Sequence, residues 1–321
     1  MEKLTEIHSI KIPRSCGTHD GTFHADEVTA CALLMLFDLI DEDKIIRTRD
    51  VHHLANCEYV CDVGGVYDPD TKLFDHHQVD YDGLMSSAGM ILKYLKGQNL
   101  LSQSEYNFFN NSLVMGIDAH DNGRDALVPG YCSISHIISN FTPIRYDCSE
   151  EEQNRAFHQA LRFSFEHLQR FWQRYKYTRS CQENVVLCMS KSQDCLIFDQ
   201  NLPWLESFFE LNGAEHPALF VIMPSGTHWK LRGIPPSYQN RMKVRLSQPK
   251  EWAGLLDDDL KRVSGIPGAI FCHKGRFISV WETREDALKA LEYTLKHAKE
   301  SDYDVSIRKN HQGSTPGGKS I

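Results

Sequence analysis

The spacing of hydrophobic residues predicts alternating strands and helices over the first half of the chain. Short apolar runs bounded by glycine or acidic residues are typical of strands, and apolar positions that recur every three or four residues are typical of helices. The predicted strands are residues 7–18, 45–49, 59–63 and 72–75, and the predicted helices are residues 27–39, 86–96, 104–120, 134–140 and 150–177. This alternation indicates a mostly parallel sheet with helices on its faces.

The pattern changes after residue 180, where short strand-like runs are separated by proline and glycine. The predicted strands are residues 185–189, 219–223, 228–232, 244–246 and 269–272, and the predicted helices are residues 203–211 and 284–299. We therefore expect an α/β fold with one domain over residues 1–180 and a second, smaller α/β domain over residues 181–300. Residues 301–321 lack apolar periodicity, so we expect a flexible tail there.

Charge and composition restrict the function. The 321 residues include 35 Lys and Arg against 43 Asp and Glu, a net charge of −8. Because an acidic protein repels polyanions at long range, nucleic-acid binding would need local basic groups or bound cations, and bulk coating of DNA is disfavoured.

The longest apolar stretch, residues 30–37, is too short to span a membrane, so no membrane association is expected. Residues 1–15 contain no signal-like apolar segment and the 10 cysteines form no Cys-x-x-Cys pair, so free thiols and a cytoplasmic location are predicted.

Ionisable side chains cluster where predicted strands and one helix end. The clusters are His19, Asp20, His24, Asp26 and Glu27; Asp62 before two glycines; Asp75, His76 and His77; and Asp118, His120 and Asp121. Singly, such groups are usually turn formers or surface hydrogen-bonding pairs. In an open parallel sheet, however, loops at the carboxyl ends of strands meet in one crevice, so we expect the first three clusters to converge.

So many ionisable groups in one crevice predict a divalent, dinuclear metal site, because they would repel one another without cations. Imidazole together with carboxylate favours Mn²⁺, Zn²⁺ or Fe²⁺ over a site of oxygens alone for Mg²⁺ or Ca²⁺. Two such ions can generate a hydroxide nucleophile and stabilise an in-line phosphoryl transition state. The residues therefore point towards metal-dependent phosphoryl chemistry.

Four motifs in order resemble one known family. They are residues 18–27 (THDGTFHADE), residues 62–69 (DVGGVYDP), residues 75–78 (DHHQ) and residues 116–123 (GIDAHDNG), with further similarity at residues 265–268 and 277–278. Together they span nearly the whole chain and are similar to the melanocyte proliferating gene product (Myg-type) exonucleases of the DHH phosphoesterase superfamily. The resemblance implies a DHH phosphoesterase-like fold, with a metal-binding catalytic domain followed by a substrate-binding domain.

The resemblance also implies residue roles. His19 and His24 would bind one ion, Asp26, His76 and Asp118 a second ion, and Asp62 would bridge the two, with Mn²⁺ expected and Mg²⁺, Zn²⁺ or Fe²⁺ as other candidates. The catalytic residues would be His77, which would contact the scissile phosphate, together with Asp62 and Asp121. Superfamily relatives usually have Asp at the position of His24, so Asp20 is a competing ligand.

The second domain departs from the family pattern. Ser279, Val280, Trp281 and Glu282 stand where relatives have a glycine pair followed by His-Arg in a substrate-binding loop. The loss of glycine there questions substrate binding, because only glycine lets backbone amides approach a ligand closely. The predicted substrate-binding residues are Lys230, Arg232, Lys274 and Arg276. Basic residues that alternate along strands are, however, also typical of a solvent-facing surface.

These features predict a metal-dependent phosphodiesterase, specifically a 3′-to-5′ exoribonuclease on short or single-stranded RNA that uses two-metal hydroxide attack. Hydrolysis of a small phosphorylated molecule, such as a dinucleotide or pyrophosphate, is the alternative at the same site. The missing glycine pair motivates a third hypothesis from another class, a catalytically inactive regulatory protein that binds metal or nucleotide. The expected partner in each case is an RNA, a nucleotide or a related phosphorylated ligand.

Overall fold

The computed structural model describes residues 4–7, 9–126, 128–145 and 147–304. The chain divides into two compact units, Met1–Gln173 and Arg174–Ile321. The division lies within a helix of 31 residues, Glu150–Ser180. The sequence predicts the domain boundary at the end of this helix. Each unit contains one five-stranded sheet, so the predicted α/β class with two sheet-containing parts is confirmed.

The sheet of the first unit is mostly parallel, as predicted. Its strands are β1 (Ile12–Thr18), β2 (Ile45–Arg47), β3 (Cys57–Cys61), β4 (Tyr67–Asp68) and β5 (Leu73–Phe74). They lie in the order β2-β1-β3-β5-β4, and only the pairing of β4 with β5 is antiparallel among the strands of this sheet. The chain leaves β1 towards β2 and returns to β3 on the other side of β1. This reversal creates a crevice at the carboxyl ends of β1 and β3.

Helices pack against this sheet and surround its core. They are α1 (Ala25–Leu36), α2 (Val51–Ala55), α3 (Ser87–Gly97), α4 (Gln103–Phe109), α5 (Met115–Asp121), α6 (Ile134–Ser139) and α7 (Glu150–Ser180). Residues 25–34 of α1 are all buried, which fits the mostly apolar sequence that follows Asp26 and Glu27 in its first turn. One predicted helix, residues 104–120, is two helices joined by a π-helical segment, Asn110–Val114. Such segments are frequent beside functional sites.

The sheet of the second unit is mostly antiparallel. The remaining elements, in chain order, are α8 (Gln182–Lys191), β6 (Cys195–Ile197), α9 (Leu205–Glu210), β7 (Phe220–Ser225), β8 (His228–Gly233), α10 (Asp257–Ser264), β9 (Ala269–Cys272), β10 (Ile278–Trp281) and α11 (Arg284–His297). The strand order is β6-β7-β8-β10-β9, with β6 parallel to β7 and each other pair antiparallel.

Three sequence predictions in this unit are wrong. Residues 185–189 are helical, because Val185 and the half-buried Cys188 and Met189 follow helical spacing within a continuous apolar run. Residues 244–246 form no strand, and Leu246 makes only an isolated bridge with Tyr303. The expected loop at residues 279–282 is largely strand β10, which pairs with both β8 and β9.

Several other expectations concern the chain as a whole. All 10 cysteines are free, as predicted. Within the residues that the structure describes, no helix has both the length and the apolar character to cross a membrane. The start of the predicted tail is bonded to the second unit, since Ser247 donates a backbone hydrogen bond to Asp302 and Asp304 donates one to Arg245. Residues 305–321 lie outside the described residues.

Candidate metal centre

Two neighbouring parallel strands bring His19 and Asp62 together. His19 directly follows β1 and Asp62 directly follows β3, and these strands are paired. The Nε2 atom of His19 lies 3.4 Å from Oδ2 of Asp62. Asp62 has a left-handed backbone with φ of 57°. Aspartate is one of the residues that adopt this conformation more readily than most.

The first turn of α1 completes one candidate metal group. The carboxylate of Glu27 accepts hydrogen bonds from the backbone N–H of His24, at 2.9 and 3.1 Å, and lies 3.2 Å from Nε2 of His19. His19, His24, Glu27 and Asp62 each offer a ligand atom, and these atoms all lie within 4.8 Å of one another. Glu27 was not predicted as a ligand. Its place in the same sequence cluster as His19 and His24 is the signal that could have identified it.

The end of β5 supplies two further groups, which share His76, and one of them shares Asp62 with the first group. Asp62, His76 and His77 form one, and Asp26, His76 and Asp121 form the other. Nε2 of His76 lies 3.5 Å from Oδ1 of Asp62 and 3.0 Å from Oδ2 of Asp121. The predicted convergence of the three strand-end loops is therefore confirmed.

Two atoms at the centre of these groups lack well-directed hydrogen bonds among the described residues. Oδ1 of Asp62 and Nε2 of His76 are buried, and neither makes a well-directed hydrogen bond among the described residues, although Nε2 of His76 lies 3.0 Å from Oδ2 of Asp121. Leaving buried polar atoms unpaired is costly unless a ligand satisfies them. Because carboxylate oxygen and imidazole nitrogen are both ligands of divalent metals, the residues present fit one or more such ions.

The pKa values of the side chains in these groups also favour a bound cation. Burial and the charges of Asp62 and Asp121 raise the pKa of Asp26 well above its ordinary value. Burial alone would lower the pKa of His76, but the adjacent carboxylates of Asp121 and Asp62 raise it to about 10. His19 behaves similarly, with a pKa raised to about 10 by Asp62 and Glu27 against the effect of burial. These pKa shifts favour protonation at positions where a bound cation would offset the same negative charge.

The N-terminus of α3 fixes the buried carboxylates of Asp26 and Asp118. Asp26 accepts hydrogen bonds from the Ser86 hydroxyl at 2.6 Å and from the backbone N–H groups of Ser87 and Ala88 at 3.0 and 2.6 Å. Asp118 accepts from the Ser86 hydroxyl at 2.8 Å, its N–H at 3.0 Å and the Gly89 N–H at 3.1 Å. The free N–H groups and the dipole of a helix N-terminus favour negative charge there.

The predicted ligands divide into two classes by position. His19, His24, Asp26, Asp62 and His76 all belong to the candidate groups. Asp118 does not belong to them, whereas Asp121, one helical turn later in α5, does. Asp118 as a ligand and Asp121 as a catalytic residue therefore stay predictions. Asp20, the competing ligand, lies outside the groups, and its carboxylate is 3.2 Å from Nε of Arg49.

His77 differs from the other two strand-end histidines in exposure. Its side chain is 63% exposed, against 6% for His19 and 8% for His76. Nδ1 of His77 donates a 2.8 Å hydrogen bond to the carboxylate of Asp75, which raises the pKa of His77. The second carboxylate oxygen of Asp75 accepts a 2.6 Å bond from the N–H of Gly65, which anchors the pair.

A cavity of about 940 Å³ opens over this centre. Its lining includes His19, His24, Asp62, His77 and Asp121. Arg49 also lines it, two residues after the end of β2. Sequence reasoning missed Arg49, because a single arginine beyond a strand carries no distinctive pattern.

The four predicted substrate-binding cations of the second unit occupy different environments. Lys230 and Arg232 lie on β8 and line a separate cavity in that unit. Arg276 instead forms a 2.9 Å ion pair with Asp302 and donates to the Gln248 carbonyl. Lys274 is exposed in the turn between β9 and β10. Substrate binding by these four residues stays a prediction.

Comparison with known proteins identifies the family. A profile named for the MYG1 exonucleases, with the description "Uncharacterised protein family (UPF0160)", matches residues 15–295. The chain belongs to this family. The "MYG1 protein" of Chlamydia trachomatis serovar D is 53% identical over 287 residues, which cover 89% of this chain and 98% of that protein. The human protein named "MYG1 exonuclease" is 32% identical over 326 residues, which cover 88% of this chain and 86% of its own.

Membership of the MYG1 family confirms the resemblance seen in the four motifs, and the exonuclease names of its mammalian members denote hydrolases. The crystal structure of RecJ in complex with Mn²⁺ from Thermus thermophilus is 11% identical and covers 88% of this chain and 52% of that chain. Its TM-score is 0.29, which is too low to support a statement about fold or metal content.

Proposed function

We propose that this MYG1 family member is a metal-dependent phosphodiesterase that acts as a 3′-to-5′ exoribonuclease on short or single-stranded RNA in the cytoplasm. The observation that carries the proposal is the set of three His and carboxylate groups linked through Asp62 and His76. The names of the mammalian relatives support the exonuclease class. The RNA substrate and the cytoplasmic location rest on the sequence resemblance and the cysteine pattern.

The linked groups support two metal positions. His19, His24 and Glu27 would hold one cation, Asp26, His76 and Asp121 the other, and Asp62 would contact both. Mn²⁺ is the first candidate because the sequence resemblance implies it, whereas mixed imidazole and carboxylate ligands suit Mn²⁺, Zn²⁺ and Fe²⁺ alike. When bound, such cations supply Lewis acidity and lower the pKa of water, which is the chemistry that phosphodiester hydrolysis needs.

The protein's own side chains would orient the phosphate. His77 is exposed at the cavity and held by Asp75, so its protonated ring can donate a hydrogen bond to a phosphate oxygen. Arg49, also at the cavity, can contribute a second positive donor. The anchored carboxylates of Asp26 and Asp118 keep the base of the site rigid, which catalysis by positioning requires.

The proposal is tested by turnover of three substrates with metal-stripped protein resupplied with Mn²⁺. The substrates are a short RNA labelled at its 3′ or 5′ end, a dinucleotide and pyrophosphate. We expect labelled mononucleotide at once from 3′-labelled RNA and a ladder of shortened products from 5′-labelled RNA. Asp62→Asn is the control for contaminating nucleases.

Other outcomes would replace the proposal. Preference for the dinucleotide or pyrophosphate would indicate a small-molecule phosphoesterase. Bound Mn²⁺ without turnover of any substrate would indicate a binding protein. Mononucleotide released first from the 5′ end would overturn the direction of attack.

A further inference from the structure

The second unit contains a basic cavity that is separate from the metal centre. Its volume is about 310 Å³, near the lower limit for small-molecule sites. Lys230 and Arg232 contribute from alternate positions of β8, and Arg241 contributes from the segment that follows this strand. The protein has a net charge of −8, so three cations around one cavity are a marked local reversal.

Among the residues that the structure describes, the charges of Lys230 and Arg232 have no acidic partner. Nζ of Lys230 donates a 3.1 Å hydrogen bond to the neutral Asn201 side chain. No carboxylate within the described parts of the chain forms an ion pair with Lys230, Arg232 or Arg241. Glu206 also lines the cavity, but its carboxylate lies 4.0 Å from the guanidinium of Arg179.

Partial dehydration makes this lack of partners significant. Burial lowers the pKa values of both Lys230 and Arg232, and the charge of Arg232 lowers the pKa of Lys230 further. Two cations on one strand, half-buried and repelling each other, destabilise the unit unless an anion binds between them. Arg276 provides a contrast, because Asp302 already satisfies it.

The third cation is oriented in advance. The guanidinium of Arg241 lies 3.8 Å from the centre of the Tyr238 ring, and its Nε donates a 3.0 Å bond to the Tyr238 carbonyl. A stacked guanidinium loses less freedom when it binds an anion than a free one does. The remaining lining includes the apolar side chains of Leu202, Trp204 and Met223. Cations combined with an apolar wall suit a ligand that has both a phosphate and a planar ring.

We propose that this cavity binds the phosphate of a nucleotide through Lys230, Arg232 and Arg241, with the base against its apolar wall. The proposal deepens the proposed function, on which it rests for the identity of the nucleotide. The phosphate belongs either to a free mononucleotide or to an RNA chain, and the experiment includes both.

The test measures equilibrium binding to the full chain by calorimetry. Metal is chelated, and every protein also carries Asp62→Asn so that the ligands are not hydrolysed. The ligands are AMP, adenosine and an RNA trinucleotide. Lys230→Met and Arg232→Met remove one charge each and keep side-chain length. The matched control is Lys243→Met, which changes an exposed cation in the segment after β8 that does not line the cavity. Arg232→Lys keeps the charge.

We expect AMP or the trinucleotide to bind about tenfold more weakly to Lys230→Met and to Arg232→Met, because each loses a charge-assisted hydrogen bond. Lys243→Met should bind like the parent, and Arg232→Lys should retain most of the affinity. A larger loss with AMP identifies a free nucleotide as the ligand, and a larger loss with the trinucleotide identifies the chain. AMP should also bind more tightly than adenosine.

Unchanged affinity for both phosphate ligands in both methionine variants would overturn the proposal, as would equal binding of AMP and adenosine. Thermal unfolding of each variant shows whether the second unit remains folded. If a methionine variant unfolds, the affinity of Arg232→Lys still tests the contribution of Arg232. This result is separable from the proposed function. Phosphate binding that depends on Lys230 would stand even if the metal-loaded protein hydrolysed no RNA.

Discussion

Around the metal centre the buried charges are carboxylates that converge on imidazoles, whereas in the second unit a buried charge is the guanidinium of Arg245. Asp26 and Asp62 are 1% and 3% exposed, and Arg245 is 2% exposed. Burial is equally deep in both places, so the cost of removing the charge from water is similar. The two regions differ in how the protein offsets that cost.

Arg245 is satisfied entirely by backbone. Its guanidinium donates hydrogen bonds to the carbonyl oxygens of Gly213, Ala214, His216, Ala218 and Pro235. These bonds tie the segment before β7 to the segment after β8. A buried charge with a full set of donors and acceptors leaves nothing for a ligand to complete. Its role is therefore structural.

The metal centre is satisfied only in part. The N-terminus of α3 holds Asp26 and Asp118 by hydrogen bonds, but Oδ1 of Asp62 and Nε2 of His76 make no well-directed hydrogen bond among the described residues. Completeness of hydrogen bonding thus separates a buried charge that stabilises the fold from one that awaits a ligand. The half-buried Lys230 and Arg232 resemble the second kind.

The largest expected effect is that of Asp62→Asn. Asparagine accepts the left-handed backbone at this position, so the fold should survive while the charge shared by the candidate groups is lost. We expect turnover to fall at least about a thousandfold and metal content to drop. Asp38→Asn is the matched control, since Asp38 also has a left-handed backbone, with φ of 58°, and is exposed. Ordinary activity in Asp62→Asn would remove the two-metal scheme.

Arg245→Met should affect stability and leave the metal centre intact. Removing the guanidinium leaves several buried carbonyl groups unpaired, which should lower the free energy of unfolding by about 3 kcal/mol. Hydrogen exchange should show the loss within the second unit. Arg262→Met, at an exposed ion pair with Asp259, should change stability by less than about 0.5 kcal/mol. Equal stability of the two variants would show that Arg245 is not structural. Reduced metal binding by Arg245→Met would show that the two regions are not independent.

His77→Ala separates a phosphate contact from a metal ligand. Because His77 is exposed and held by Asp75, we expect turnover to fall about a hundredfold with metal content near that of the parent. Metal content is measured by mass spectrometry beside the rate. His53→Ala, at an exposed histidine of α2, is the control. A parallel loss of metal would reassign His77 to the group it shares with Asp62 and His76.

Gly89→Ala tests how closely α3 must approach Asp118. A Cβ atom at residue 89 would lie 2.4 Å from Oδ2 of Asp118, so the carboxylate must move. We expect metal affinity to fall about tenfold, while the better helix propensity of alanine limits any loss of stability. Gly97→Ala, in the same helix with open space around it, should have no effect on metal affinity. Equal affinities in these two variants would show that the position of Asp118 is immaterial.

The first unit was easier to predict than the second for a physical reason. Strands β1, β3 and β5 each end directly before an acidic or imidazole side chain, so the local pattern also indicated the convergence of the loops. In the second unit, residues 185–189 read as a strand because their helical spacing is hidden in a continuous apolar run. The strand over residues 278–281 was not predicted because its alternating burial, with Ser279 and Trp281 buried, results from sheet packing and not from alternating polar and apolar residues.

The sequence by itself determined the chemistry available to this protein: the imidazoles and carboxylates, their order along the chain, their place at strand ends and the family to which they belong. Tertiary structure decided which of them meet. Only the folded chain brings Glu27 and Asp121 into the candidate groups and turns Asp118 towards α3. It also separates Arg276, which pairs with Asp302, from Lys230 and Arg232, which have no carboxylate partner among the described residues. The reason is that a side chain's identity is local, whereas its partners come from elements far apart in sequence that only packing brings into contact.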